Sequence, residues 1–256
     1  MPRADHHFLP NRRLTIIGMI LLALTSSQGL SAGTSEVTRS DPALIQTAFP
    51  RNERLVYGLS WLGIYIGKVS IDIRQKERGK WVILGEARSS PFFSLFFPVE
   101  DRFETEIGAD LLPEWITLQQ REGSYKAFRR VIFQQSRLSV ISEKEGESAK
   151  IYNLNRPSQN ELSSFLILRT LPLQVGRSVF VETFSSEKGY TVEVKVLKRE
   201  RLQTIFGEVN ALEVKPELPF KTVQEQRGNF YTWFTDDQRR IPVKLKGGNR
   251  PGLDRR

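Results

Sequence analysis

The sequence predicts an all-β protein: a single large antiparallel sheet, strongly curved or closed into a barrel, of roughly a dozen strands with one short helix near residues 161–170. Three observations carry this expectation. From Glu53 onward, apolar residues recur at every second position. Turn residues separate these alternating runs at near-regular spacing. One segment alone keeps helical spacing over two turns. No Gly/Ser-rich or Pro-rich linker interrupts the pattern, so residues 50–248 read as one β-rich domain. A flexible leader, 33–49, precedes it and a flexible tail, 249–256, follows.

Alternation is cleanest in Gly67-Lys68-Val69-Ser70-Ile71-Asp72-Ile73-Arg74, a strand with one wet and one dry face. Tyr190, Val192, Val194 and Val196 alternate with Thr191, Glu193, Lys195 and Leu197, and Ile241, Val243 and Leu245 alternate with Pro242, Lys244 and Lys246. Further strands are expected over 54–61, 80–88, 99–107, 114–121, 125–134, 137–143, 148–153, 178–184, 201–206, 209–215 and 229–235. Glu122-Gly123, Glu145-Gly146, Lys188-Gly189, Phe206-Gly207 and Thr235-Asp236-Asp237 supply turns between them. The helix is predicted from Leu162, Phe165, Leu166 and Arg169, with Ser158 and Glu161 spaced as a capping box and Pro172 as the stop.

Residues 91–98, Pro-Phe-Phe-Ser-Leu-Phe-Phe-Pro, fit neither period. Four Phe between two prolines make either a short buried helical turn that plugs the sheet or an apolar lip that meets lipid or ligand. The plug is the expected state, because apolar residues are usually buried. Trp61, Trp81, Trp115 and Trp233 all fall in strands, where they fill a core or floor a cavity. Gly63, Gly67, Gly85 and Ala87 are small strand residues that favour a cavity over a filled interior.

The first thirty-odd residues read as an export signal. Arg3, Arg12 and Arg13 precede the apolar run Leu14–Leu24, and a small, polar stretch follows. The run is shorter than the about 20 residues that span a bilayer. Residues 1–32 are therefore expected to be removed on passage to a bacterial periplasm, and the mature chain to hold no transmembrane span. Their loss removes Arg3, Arg12, Arg13 and Asp5, leaving 35 basic and 28 acidic residues, about +7. A basic surface suits anionic envelope partners such as lipid phosphates, and export argues against nucleic acid.

The same cut removes His6, His7, Met1 and Met19, the only His and Met, from a chain that has no Cys. No Ser-His-Asp or Cys-His nucleophile, histidine metal centre, thiolate site or disulfide can then be built. No metal and no cofactor is expected, and no phosphate-binding glycine loop is present. Carboxylates are the remaining chemistry. Glu100, Asp101, Glu104 and Glu106 share one stretch, with neighbours on a strand face roughly 6.5 Å apart, and Asp236-Asp237 occupies a turn. Arg129 and Arg130 straddle the two faces of strand 125–134, so one of them points inward and needs a carboxylate or an anionic ligand.

Several blocks together resemble one bacterial family, the domain-of-unknown-function family numbered 3108. They are Asn52-Glu53-Arg54-Leu55-Val56-Tyr57 with Ser60-Trp61-Leu62-Gly63-Ile64, then residues 89–105 with Leu112-Pro113, then Arg121-Glu122-Gly123. Glu161-Leu162-Ser163-Ser164 through Leu168-Arg169-Thr170-Leu171-Pro172 follows. The most specific block is Tyr231-Thr232-Trp233-Phe234-Thr235-Asp236-Asp237-Gln238-Arg239-Arg240-Ile241-Pro242-Val243. The resemblance implies an exported, β-rich envelope protein and supplies no catalytic residues.

The functional expectation is a non-catalytic periplasmic protein that binds a lipid or other amphipathic envelope ligand in a barrel-like cavity. Its candidate binding residues are Phe92, Phe93, Phe96, Phe97, Trp61, Trp233, Arg129 and Arg130. Two other readings stand beside it: a packed structural module with an envelope protein partner, and a carboxylate-dependent glycan hydrolase.

Overall fold

The computed structural model describes residues 37–217 and 230–247; the expected signal peptide and the tail 249–256 lie outside them. Thirteen strands are found among the described residues. The first eight follow one another as β1 (Asn52–Trp61), β2 (Ile64–Gln75), β3 (Trp81–Ser89), β4 (Glu100–Ile107), β5 (Pro113–Glu122), β6 (Tyr125–Gln134), β7 (Ser139–Lys144) and β8 (Lys150–Asn153). They form one antiparallel sheet in sequence order. The other five are β9 (Ser178–Ser185), β10 (Lys188–Thr204), β11 (Gly207–Glu217), β12 (Phe230–Thr235) and β13 (Pro242–Gly247), a second antiparallel sheet. Three short helices join them: α1 (Pro42–Ala48), α2 (Pro91–Ser94) and α3 (Glu161–Ile167), the last extended by a 3₁₀ turn to Thr170.

The expectation of a single sheet, strongly curved or closed into a barrel, is corrected to two open sheets. The reason lies between β8 and β9. Strand β8 has four residues, and the chain then leaves the sheet to build α3. The connection makes one isolated parallel bridge, Gln159 with Thr183, instead of an antiparallel ladder. Side chains join the sheets instead. Tyr57 Oη on β1 donates to Pro242 O on β13 at 2.7 Å. On the other flank, the Phe184 ring of β9 lies 6.0 Å from Phe133 of β6 and 5.7 Å from Tyr152 of β8.

Inward residues of both sheets, among them Ile73, Ile83, Ile116, Val140, Val194, Val214 and Phe234, form one buried cluster with Leu162, Leu166 and Ile167 of α3. The helix lies between the sheets. Asn160 donates to Thr105 of β4 at 2.8 Å, and Ser164 bonds Thr183 of β9 at 2.7 Å. Its cap is not the expected Ser158–Glu161 pair. Asn160 caps the helix with Ser163 returning the bond, because the Glu161 carboxylate is taken by Arg129 and Ser185.

Small strand residues do not line an interior space. Gly63 sits at positive φ in the β1–β2 turn, and a Cβ on Gly67 would lie 2.3 Å from the Arg88 carbonyl oxygen. The expected strands 190–197 and 201–206 are one strand, β10, with a bulge between Val196 and Lys198 that shifts the alternation by one. Lys188-Gly189 belongs to this strand, and Ser186 and Glu187 make the turn. The leader is also corrected from residue 37 onward. Thr38 exchanges two hydrogen bonds with Phe180, and Phe49, 3% exposed, stacks 5.9 Å from Trp81. Ala48 and Phe49 in the core, with Ile45 packed against it, seat the segment.

Candidate functional site

In the first sheet the β1–β2, β3–β4 and β5–β6 connections emerge at one end, and that end carries exposed apolar side chains. The two-residue turn between β1 and β2 holds Leu62 at φ 50°, in the left-handed region, with its side chain 81% exposed. Asn, Asp or Gly is the usual occupant of such a position. Trp61, Ile64 and Tyr65 flank it and are exposed. The β3–β4 connection is the Phe block, and it is the helical turn expected but not the plug. Phe92, Leu95 and Phe96 are 68%, 79% and 74% exposed, and Phe93 and Phe97 are half-buried. The plug expectation fails because the space between the sheets is already taken by α3. Tyr125 adds a further exposed ring at the β5–β6 turn.

Polar bonds hold this lip in place. Ser90 caps α2 by accepting from Phe93 N at 3.2 Å, and Pro91 starts the turn at the position where its missing N–H costs nothing. Ser89 Oγ lies 2.7 Å from Ser94 Oγ and accepts from Val99 N at 2.9 Å. Ser90 N donates to Ile66 O on β2, and Gly123 N to Pro98 O, so the lip is tied to both neighbouring hairpins. A Cβ on Gly123 would meet the Phe97 ring at 3.4 Å. Phe92 and Phe96 stack edge to face at 5.6 Å.

Beneath the lip, Asp101 and Glu122 are buried. Asp101 accepts from Arg121 N at 2.9 Å. Burial, then the hydrogen bond and charge of Asp101, push the Glu122 carboxyl up to about 8. Burial also raises Asp101. Two carboxyls at close range in a dry site share a proton.

The remaining residues singled out from sequence are dispersed. Arg129 points inward and pairs with the buried Glu161 carboxylate at 3.1 Å, while Arg130 is exposed on the outer face. Trp233 is buried in a small second cluster with Tyr231 and Ala211. Its Nε1 donates to Glu200, and Lys244 Nζ lies 4.6 Å from its ring centre. Trp61 alone of these four shares the end that carries Phe92, Phe93, Phe96 and Phe97. The acidic stretch divides: Glu104 pairs with Arg102 and Glu106 with Lys80 on the outer face, Glu100 is exposed, and Asp101 is inside. Asp237 accepts from Thr235, Arg239 and Arg240, the turn-supporting role expected of it. Among the described residues no group of three potential ligands could hold a metal. An open groove of about 490 Å³ is lined by Leu173, Val175, Lys198, Arg199 and Leu212, but its cations already face Glu200, Glu213 and Asp236.

Sequence reasoning missed the fully buried Arg169. Its guanidinium grips Glu53 of β1 through two bonds, at 2.6 and 3.2 Å, and donates to Arg239 O in the β12–β13 turn. The Phe49 ring lies 5.8 Å from its Cζ. A charge on the apolar side of a helical segment was the available signal.

No helix of the described residues is long and apolar enough to cross a membrane. No curated protein matches the chain. Among solved structures it is similar to a β-barrel-like protein of the domain of unknown function DUF1849 from Brucella abortus, at 9% identity and a TM-score of 0.49, over 76% of this chain and 90% of that one. The profile described as "Protein of unknown function (DUF3108)" matches residues 56–252, most of the sequence, and the chain belongs to that family.

Proposed function

We propose that this chain is an exported, non-catalytic protein of the bacterial periplasm that engages a lipid-class, amphipathic ligand through the apolar end of its first sheet. The observation that carries this reading is the clustering of Trp61, Leu62, Ile64, Tyr65, Phe92, Leu95, Phe96 and Tyr125, all exposed, on three adjacent connections. Contiguous apolar surface of this kind marks an interaction site. The packed inner faces argue for a ligand at the end of the sheet in place of one inside a barrel.

A second reading, a structural module with a protein partner, draws on the same filled core and would place that partner on the same end. Vesicle flotation separates the two. The mature chain should float with vesicles of mixed envelope phospholipids, and the Phe92→Ser/Phe96→Ser variant should stay at the bottom of the gradient. Its urea stability should change by less than about 0.5 kcal/mol, as expected for exposed positions. A wild-type chain that floats with no vesicle gives the ground to the protein partner. A double variant that still floats removes the lip from the site.

A further inference from the structure

The apolar end is bordered by an excess of positive charge, and this identifies its partner more narrowly. In the β2–β3 register Lys68 stands opposite Arg88, and both are exposed. In the β5–β6 register Arg121 stands opposite Lys126, again both exposed. Each pair lies within a few rungs of an apolar connection: Lys68 four residues after Ile64, Arg88 three before Pro91, and Arg121 and Lys126 on either side of the β5–β6 turn. Like charges directly across a ladder are destabilising, so two such pairs around one rim are a cost that folding alone does not explain. No ion pair among the described residues joins Lys68, Arg121 or Lys126 to an acid, and the one contact of Arg88, to Glu86, is 4.0 Å long. Glu86 is itself engaged by Arg102.

The acids near the rim cancel these cations only in part. Glu100, exposed and in register with Arg88, offsets one of them, and Glu145 and Glu147 of the β7–β8 connection are exposed at the same end. Asp101 and Glu122 are buried behind the lip, where burial holds both carboxyls above their ordinary range. The rim therefore combines large aliphatic and phenyl groups at its tip, the amphipathic rings Trp61, Tyr65 and Tyr125, and a collar of four cations. Trp and Tyr are the aromatics that settle at the level of lipid headgroups. Lys and Arg extend their charge towards headgroup phosphates while their stems stay along apolar surface.

We propose that this end of the sheet docks on the surface of an anionic phospholipid bilayer, with the lip residues between the acyl chains and Lys68, Arg88, Arg121 and Lys126 on the headgroup phosphates. This rests on the lipid-class reading above and adds the charge of the lipid and its bilayer form. Binding then has two separable parts: an apolar part from the lip, insensitive to salt, and a cationic part that weakens as the screening length falls from about 10 Å at 0.1 M salt to about 3 Å at 1 M. Each basic residue near an anionic surface strengthens binding by about fivefold.

The test is vesicle binding of the mature chain, with phosphatidylcholine vesicles compared with vesicles in which part of that lipid is replaced by phosphatidylglycerol. The anionic vesicles should bind at least about tenfold more tightly at low salt, with the advantage lost at high salt. Lys68→Gln/Arg88→Gln should weaken anionic binding by roughly twenty-five-fold and binding to phosphatidylcholine far less. Arg74→Gln/Lys76→Gln, the same loss of charge at the opposite end of β2, should behave as wild type. Equal, salt-insensitive binding to both vesicles would overturn the anionic-surface proposal and leave the lipid-class reading standing. Equal weakening by both double variants would overturn it too, because net charge and not the rim would be responsible. Binding to neither vesicle would overturn both.

Discussion

The two ends of the first sheet are built from the same kind of short antiparallel connection, yet they differ in chemistry. At one end, Lys80 on the β2–β3 side bonds Glu106 and Glu114, Asp110 of the β4–β5 turn accepts from Leu112 N, and Gln135 after β6 bonds Pro113 O and Ser158 O. Of the two leucines in the β4–β5 turn, Leu111 is buried and Leu112 is half-buried. At the same end the start of β1 carries Glu53, which receives the buried Arg169. Non-glycine residues at positive φ occur here too, but Leu111 is buried, Leu138 is half-buried and Arg78 is charged. At the other end Leu62 occupies a left-handed position with its side chain in solvent, and Phe92, Leu95 and Phe96 stand out from a well-anchored turn. Left-handed leucines occur at both ends of the sheet, but only at the second does one stand in solvent among other large exposed apolar side chains, and that exposure marks the second end as an interaction surface.

That contrast can be broken by mutation. The largest effect is expected at the covered end. Arg169→Met leaves the Glu53 carboxylate buried without its partner, and should cost about 3–5 kcal/mol in urea unfolding. A cost below about 1 kcal/mol would show that the two sheets are not pinned there.

Next comes pH, read beneath the lip. The folded pKa of Glu122 lies above its ordinary value of 4.5, at about 8, so its contribution favours folding in acid and is lost as pH rises through that range. Wild-type stability should fall between about pH 5 and about pH 9 by more than that of Glu122→Gln, in which the carboxyl is gone. Equal pH profiles would contradict the shared-proton pair.

A smaller effect belongs to the cap inside the core. Asn160→Ala removes both the bond to Ser163 N and the bond to Thr105, and should cost about 1–2 kcal/mol by the same assay. The smallest change runs the other way. Leu62→Asn places a left-handed-tolerant residue ahead of Gly63, and should raise stability by up to about 1 kcal/mol while weakening lipid binding. A loss of stability would mean that Leu62 is packed in solution and not presented.

Much of this was legible in the sequence, and the exceptions have physical causes. Strands such as β2 and β13 were readable because alternation is a property of neighbouring residues. The α3 segment was readable from Leu162, Phe165 and Leu166. How strands divide into sheets was not, because that depends on β8 ending after Asn153 and on where α3 packs. The Phe block was visible as composition, but its side of the surface was decided by a distant helix already filling the interior. That one of Arg129 and Arg130 points inward and needs a carboxylate or an anionic ligand was readable. Which of the two it is, and that its partner is Glu161, 32 residues beyond Arg129, was not. Trp61 and Trp233 look alike as strand tryptophans, and only the strands' positions in the fold separate an exposed ring from a buried one.

Trp61 also provides the most direct measurement. Of the four tryptophans it is the one at the apolar end and exposed, while Trp81 and Trp233 are buried. Fluorescence of the mature chain should be quenched by anionic vesicles carrying brominated acyl chains, with the emission shifted to the blue. Both changes should vanish in Trp61→Phe. Quenching that persists without Trp61, or a Trp61 signal that no vesicle changes, would contradict the claim that this end meets the lipid.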